Sequence, residues 1–242
     1  MSVLLEDCNL ITVCVGRWDS LLRVLPSWKH LFPTERIFVS IAPWELDKIP
    51  DEAYELNLIE VQHGRFSLGL WLNKAYEASL EAPAGFTWKL DVDMVLANPM
   101  ELESKTRRVA PDEFILAYAV PGIVNDKPWD DRFRGRTGTV GFHTPALGEV
   151  GGYECRLHNW GLDDMVLYRE WIALGWKPIV VDAFNHMQHD DFTRTKNYEI
   201  KNLRDSIDYN RKEMARFEEM SKIDPNGREK FWRDIGHRRI EP

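Results

Sequence analysis

The sequence predicts an α/β fold: a mixed, mainly parallel sheet flanked by helices, with a C-terminal helical extension. Three observations carry that prediction. Short β-branched runs alternate with stretches of helical periodicity between residues 9 and 93, the pattern of strands whose crossovers cover both faces of a sheet. At 242 residues the chain suits one sizeable α/β domain with an appendage. Beyond residue 200 it is charged except for one apolar stripe. We therefore expect a main domain over residues 1–200 and an amphipathic helical extension over 201–242.

Each element has its own signal. Residues 9–15 are apolar and β-branched, end at Gly16, and predict a buried first strand. Residues 20–31 place Leu21, Leu22, Val24, Leu25 and Trp28 at helical spacing, interrupted by Pro26. Strands follow at 36–41 and 58–62. Residues 68–80 put Leu68, Leu72, Ala75, Tyr76 and Ser79 on one side of a helix. Residues 87–93 predict the next strand, and 114–120 another. Residues 121–139 mix Gly, Pro, Asn, Asp and Arg with Trp129 and Phe133, which predicts a long loop of the kind that often carries function. A helix at 162–174, a short strand at 178–181 and a His/Asp cluster come next. Leu203, Ile207, Met214 and Phe217 form the stripe of a last helix at 202–220, packed on the core or on a partner.

Composition excludes several classes. Net charge is −8, so no global field favours nucleic acid. Ten Trp require large flat surfaces to be buried or stacked on a ligand. Cys8, Cys14 and Cys155 have no metal-type spacing and read as reduced thiols. No apolar run approaches the roughly 20 residues of a membrane span, and no signal peptide is evident, so the expected location is cytoplasmic.

Chemistry concentrates in three places. In Trp88-Lys89-Leu90-Asp91-Val92-Asp93-Met94 two acids interrupt an apolar run. Strand alternation puts Lys89, Asp91 and Asp93 on one face, a seat for a divalent cation bridging to phosphate. A turn whose Asp side chains cap the next segment explains the same spacing. In Asn159-Trp160-Gly161-Leu162-Asp163-Asp164 two acids open a helix, where the macrodipole favours them. Third, His186-Met187-Gln188-His189 follows a short strand, and imidazole is a common metal donor.

In this order, Asp-x-Asp, Gly151-Gly152, Trp160-Gly-x-Asp-Asp and then a His after the following strand, the chain resembles the nucleotide-sugar glycosyltransferases of the GT-A fold. It is most similar to inverting enzymes of glycosyltransferase family 2 and the β-1,4-galactosyltransferase type. Segments like 64–75 and 138–153 precede the two acidic motifs in those families, and the likeness spans about residues 11–189. It implies a Rossmann-like GT-A sheet, a metal ion and a nucleotide-diphosphate sugar.

The resemblance assigns roles position by position. Asp93 would bind the metal directly, and Asp91 would reach it through water or hold the donor ribose. His189 would complete the ligands, with His186 as an extra one, around Mn²⁺ or Mg²⁺. Asp164 matches the base that takes the acceptor proton, beside Asp163, which binds a sugar. Thr12, Val13 and Val15 lie where such enzymes hold the nucleobase and ribose. Arg17 and Arg65 suit the nucleotide. Asn73 and Lys89 complete the donor side, with Lys89 pairing Asp91 or the diphosphate. Trp160 suits a sugar face. Arg132, Arg134 and Arg136 lie on the long loop, which either closes over donor or acceptor or is an ordinary solvated charged loop, the reading that composition favours for any one Arg. The implied donor is a UDP-sugar. The implied acceptor is a glycan hydroxyl, with a hydroxylated DNA base as the minority alternative on account of Arg228, Lys230, Arg233, Arg238 and Arg239.

Departures from the family pattern exist: Val166 stands two residues after the base position, Arg169 is displaced, and Lys89 is polar where relatives are apolar. Other classes fit less well. A phosphatase of the Asp-x-Asp type wants Thr where Val95 stands, and no Gly-x-x-x-x-Gly-Lys-Ser/Thr loop exists. A nucleotidyltransferase wants more glycine than Val13-Cys14-Val15-Gly16-Arg17 supplies. A degenerate GT-A domain that binds sugars or partners is the non-enzyme alternative.

Overall fold

The computed structural model describes residues 5–62, 66–117, 138–158, 161–187, 200 and 202–223, with side chains up to 216. Nine strands are described. They are β1 (Cys8–Cys14), β2 (Ile37–Ile41), β3 (Asn57–Glu60), β4 (Phe86–Lys89), β5 (Met94–Leu96), β6 (Glu113–Leu116), β7 (Val140–His143), β8 (Lys177–Val180) and β9 (Phe184–His186). Seven of these form one sheet in the order β3-β2-β1-β4-β7-β6-β8. The β1, β2, β3 and β4 pairings are parallel. β7 runs against both neighbours, and β8 is parallel to β6. This is the expected mixed, mainly parallel, Rossmann-like sheet of GT-A type. β1 and β2 are buried almost throughout, as interior strands require, whereas the edge strands β3 and β8 are half-exposed.

Helices cover both faces. α1 (Trp18–Trp28) buries Trp18, Leu21, Val24, Leu25 and Trp28 against Leu10, Ile37, Val39 and Trp88. On the opposite face α2 (Leu68–Ser79) and α5 (Asp163–Ala173) bury Leu72, Tyr76, Leu167 and Trp171 against Phe38, Phe114 and Phe142. Along β2 the side chains alternate between these two cores, the period of a strand covered on both sides. Ser67 caps α2 by accepting the Leu70 N–H, and Asn98 caps α3 (Pro99–Thr106) by accepting that of Glu101. α4 (Pro145–Glu149) is a short turn of helix after β7.

Several elements depart from expectation. The strand expected to run to Asp93 stops at Lys89, because the Met94 N–H turns back to the Asp91 carbonyl at 3.0 Å. After that turn β5 leaves the main sheet and pairs with β9 in a two-stranded ribbon, Met94 opposite His186. β7, α3 and α4 had no clear sequence signal. Most of the expected 121–139 loop lies outside the described residues, as do the C-terminal arginines and lysine.

The expected last helix is present as α6 (Leu203–Ile223). Among its described side chains Ser206 and Asn210 are buried and Leu203, Ile207 and Met214 of the stripe are half-buried, while Phe217 lies outside them. The Asn210 carboxamide accepts the His158 N–H at 3.1 Å and donates to the Gly161 carbonyl at 2.9 Å. The helix therefore staples the segment that leads into α5. No helix among the described residues is long and apolar enough to cross a membrane.

Candidate active site

The carboxyl ends of β1 and β4 and the N-terminus of α5 meet around Lys89. Strand carboxyl ends are where open α/β sheets place their ligands. Lys89 ends β4 with only 1% of its side chain exposed. Its Nζ lies 2.8 Å from Asp91 Oδ1 and 3.3 Å from Asp164 Oδ1, and donates to the Gly138 carbonyl at 2.6 Å. Burial works against the ammonium, but Asp164 and Asp91 outweigh it and hold the Lys89 pKa well above the usual range. Asp91 and Asp164 keep 31% and 20% of their side-chain surface, so both carboxylates open outward from a buried cation.

Asp164 and Asp163 sit in the first turn of α5, where free backbone amides favour negative charge. The turn is set by Gly161 at φ 104° and Leu162 at φ 78°, the latter the one non-glycine residue with positive φ among the described residues. Side chains avoid that conformation, and such strain gathers at functional sites. Burial pushes the Asp164 carboxyl up to about 8; Lys89 restrains the rise while Asp163 and Asp91 add to it. Burial also raises Asp163, whose Oδ2 has no hydrogen-bond partner among the described residues.

Gly138 forms the lid of this cluster. A Cβ there would lie 2.6 Å from Asp91 Oδ2, 2.8 Å from Lys89 Nζ and 2.9 Å from Asp164 Oδ2, closer than real side chains approach. A side chain there would have to push the ends of these three side chains aside. Tyr153 was not anticipated. Its hydroxyl is buried without a hydrogen-bond partner among the described residues, and burial pushes the phenol pKa well above its ordinary range. Its position directly after Gly151-Gly152 was the available signal.

Asp93 belongs to a second half of the site. The turn after Asp91 swings it away from the Lys89 face, so the expectation that Lys89, Asp91 and Asp93 share one face is corrected. Arg17 Nη2 donates to Asp93 Oδ2 at 2.9 Å, and the β5–β9 ribbon brings His186 Nε2 to 3.5 Å from the same oxygen. The Met187 N–H donates to the Asp93 carbonyl at 2.8 Å. Facing carboxylate and imidazole are donor types that suit Mn²⁺ or Mg²⁺ sites in which other ligands complete the shell. No group of three or more His, Cys, Asp or Glu side chains able to hold a metal occurs among the described residues. The expected further ligand, His189, lies outside them, as do Arg65 and Trp160.

The donor-side expectations are placed as follows. Thr12 is buried, and its hydroxyl has no partner among the described residues. Val13 and Val15 pack with Trp71 and Phe66. Asn73 is buried beneath Gly152: its carboxamide accepts the Tyr153 N–H at 2.7 Å and donates to the Tyr153 carbonyl at 3.0 Å. Both ends of that side chain thus hold backbone, which makes Asn73 a brace for the Gly-Gly turn. Glu45 was missed altogether. This buried carboxylate accepts the Gly16 N–H at 2.9 Å and the Trp18 indole N–H at 3.0 Å, fixing the loop that carries Arg17. Its partners are a backbone amide and an indole, which leave no pattern in sequence.

No protein-family model and no curated protein sequence matches the chain. Solved structures share its fold. The catalytic domain of Drosophila β1,4-galactosyltransferase 7, in complex with xylobiose, superposes with a TM-score of 0.56 at 17% identity, over 86% of this chain and 79% of that one. Residues 1–349 of S. aureus TarS, in complex with UDP-GlcNAc, give a TM-score of 0.52 at 14% identity, over 80% and 62% of the two chains. The mannosyltransferase PcManGT from Pyrobaculum calidifontis, in complex with GDP-Man and Mn²⁺, gives 0.51 at 13% identity, over 72% and 54%. At these identities the likeness establishes a GT-A-like fold.

Proposed function

We propose that the chain is a metal-dependent, inverting glycosyltransferase that moves a sugar from a UDP-sugar to an acceptor hydroxyl, with a glycan as acceptor. One observation carries the reading. Asp164, one-fifth exposed at a helix N-terminus, faces Asp91 across a buried lysine at the carboxyl end of β4. Its carboxyl, raised to about 8, has the proton affinity of a base working near neutral pH. The fold is that of structures solved with UDP-GlcNAc, with GDP-Man and Mn²⁺, and with xylobiose, which supports the donor, metal and glycan classes.

In this mechanism Asp164 accepts the proton of the acceptor hydroxyl. The freed oxygen attacks the anomeric carbon opposite the diphosphate, and the carbon–oxygen bond to the diphosphate breaks with its electron pair on the leaving oxygen. One displacement with one base inverts the anomeric centre. Lys89 keeps Asp164 and Asp91 oriented. Asp163 lies beside the base to engage a sugar hydroxyl, and Arg17 is within reach of a diphosphate bound near Asp93. Asp93 and His186, with His189, would hold a Mn²⁺ or Mg²⁺ ion that neutralises the diphosphate as it departs.

Calorimetric titration with UDP, GDP and CDP, first with Mn²⁺ and then with EDTA, tests the reading. UDP binding that requires metal, and transfer that Asp164→Asn abolishes without loss of UDP affinity, are the expected outcomes. Undiminished transfer by Asp164→Asn would remove the base assignment. Donor binding without turnover on any acceptor would point to a binding module instead.

A further inference from the structure

Arg17 is aimed with unusual care at one carboxylate. Glu45 holds both neighbours of it, through the Gly16 backbone N–H and the Trp18 indole side chain. The side chain is 16% exposed and its Nη2 lies on Asp93 Oδ2, while Asp93 is only 4% exposed. Arg17 Nε, also buried, has no partner among the described residues, so the fork is engaged through one side only. A guanidinium with spare donors is matched to a phosphate, which it can grip with two parallel hydrogen bonds.

A buried carboxylate needs compensation, and among the described residues Arg17 contributes it at 2.9 Å. A divalent cation arriving at the same oxygen would meet that positive charge at close range. We propose that Arg17 is a built-in competitor for the metal: it holds Asp93 until a nucleotide diphosphate draws it away, so that metal and nucleotide bind as a coupled pair. This inference rests on the reading of Asp93 as a metal ligand. Metal alone must break the Arg17–Asp93 pair without replacing it. Metal with a diphosphate gives Arg17 a new anionic partner. The free protein is thereby kept from holding a cation in the absence of donor.

The test is Mn²⁺ binding followed by electron paramagnetic resonance of the free ion, with and without UDP, corrected for the Mn²⁺–UDP complex in solution. Without UDP, Arg17→Gln should bind Mn²⁺ about tenfold or more tighter than wild type, within the usual span of coupling free energies. Arg17→Lys, which keeps the charge, should stay near wild type. The gain in Mn²⁺ affinity on adding UDP should shrink in Arg17→Gln. In the wild-type protein, Mg²⁺ should also shift the Arg17 Nε–H resonance as the side chain leaves Asp93, a readout that needs no folded variant. If Arg17→Gln binds Mn²⁺ no tighter than wild type while Asp93→Asn weakens it, competition is refuted and the metal site stands. An Arg17 resonance unmoved at Mg²⁺ saturation refutes competition equally. If neither wild type nor Arg17→Gln binds Mn²⁺ under any condition, the metal reading falls and takes the inference with it.

Discussion

Replacing Lys89 with Met separates the two roles of the buried ammonium. Methionine fills a similar volume and removes the charge, so packing is largely kept. Asp91 at 2.8 Å and Asp164 at 3.3 Å then face each other with no cation between them, and the Gly138 carbonyl loses its donor. Breaking one partner out of a buried ion pair costs about 3–5 kcal/mol. The two carboxylates retain solvent access, which places the loss near the lower end, about 3 kcal/mol. In a chain of this size that corresponds to a drop of about 6–12 °C in Tm. The activity signature is independent of stability. Lys89 is what restrains the proton affinity of Asp164, so its removal raises that carboxyl further above about 8. A base must be unprotonated to act, so kcat/KM should rise with pH through about 8 in wild type, and the limb should move to higher pH in Lys89→Met. Lys89→Arg should keep most of the wild-type pH profile. Thermal melts by circular dichroism and kcat/KM measured from pH 6 to 10 decide the matter. A Lys89→Met variant with the wild-type pH limb would refute the argument that Lys89 tunes the base, whatever its Tm.

Three further outcomes follow from the same geometry. Gly138→Ala puts a Cβ within 2.9 Å of Asp91, Lys89 and Asp164, so transfer should fall at least as far as in Lys89→Met, with about 1–3 kcal/mol lost by overpacking; wild-type kinetics would show that the backbone yields. Asn210→Ala leaves the His158 amide and the Gly161 carbonyl without that side chain, at a cost of about 1–3 kcal/mol; KM for the acceptor should rise more than KM for the donor, because the lost bonds border the turn into α5. The three thiols are buried, and burial pushes Cys8 up to about 12, so a thiol reagent at pH 8 should label none of them in the native state and all three in urea.

What the sequence made legible was whatever rests on local periodicity. The run ending at Gly16, the helix through Leu72 and Tyr76 and the acids opening α5 all carry their signal within one element. Boundaries set by distant partners were hidden. Asp93 reads as the third member of an alternating face, yet a backbone bond between Met94 and Asp91 redirects it, and no Gly or Pro marks that turn. The β5–β9 ribbon joins three-residue strands far apart in the chain, too short for any period to register. The brace that Asn73 gives the Tyr153 backbone was hidden too, because its partner lies 80 residues further along the chain. The last helix was legible from its stripe, but buried Ser206 and Asn210 were not, since Asn210 answers backbone groups of a distant loop.

Charge balance ties the two halves of the site together. Among the described residues, four aspartates, at 91, 93, 163 and 164, gather around Lys89 and Arg17. Burial raises the proton affinity of Asp163 and, more definitely, of Asp164, whose carboxyl reaches about 8, and a proton there relieves part of the excess. That relief has a functional limit, because Asp164 cannot act as a base while it keeps its proton. Additional positive charge brought near the cluster with the donor would favour the ionised form of Asp164, adding to what Lys89 does against burial and the neighbouring acids. The two cations are therefore not equivalent. Lys89 is sealed beneath Gly138 and touches two acids, so it is a fixed part of the base. Arg17 touches one acid from a pinned loop with donors to spare, so it can exchange partners. A site with one fixed and one exchangeable cation can remain closed to stray metal and still assemble full charge compensation at the moment the acceptor proton is taken.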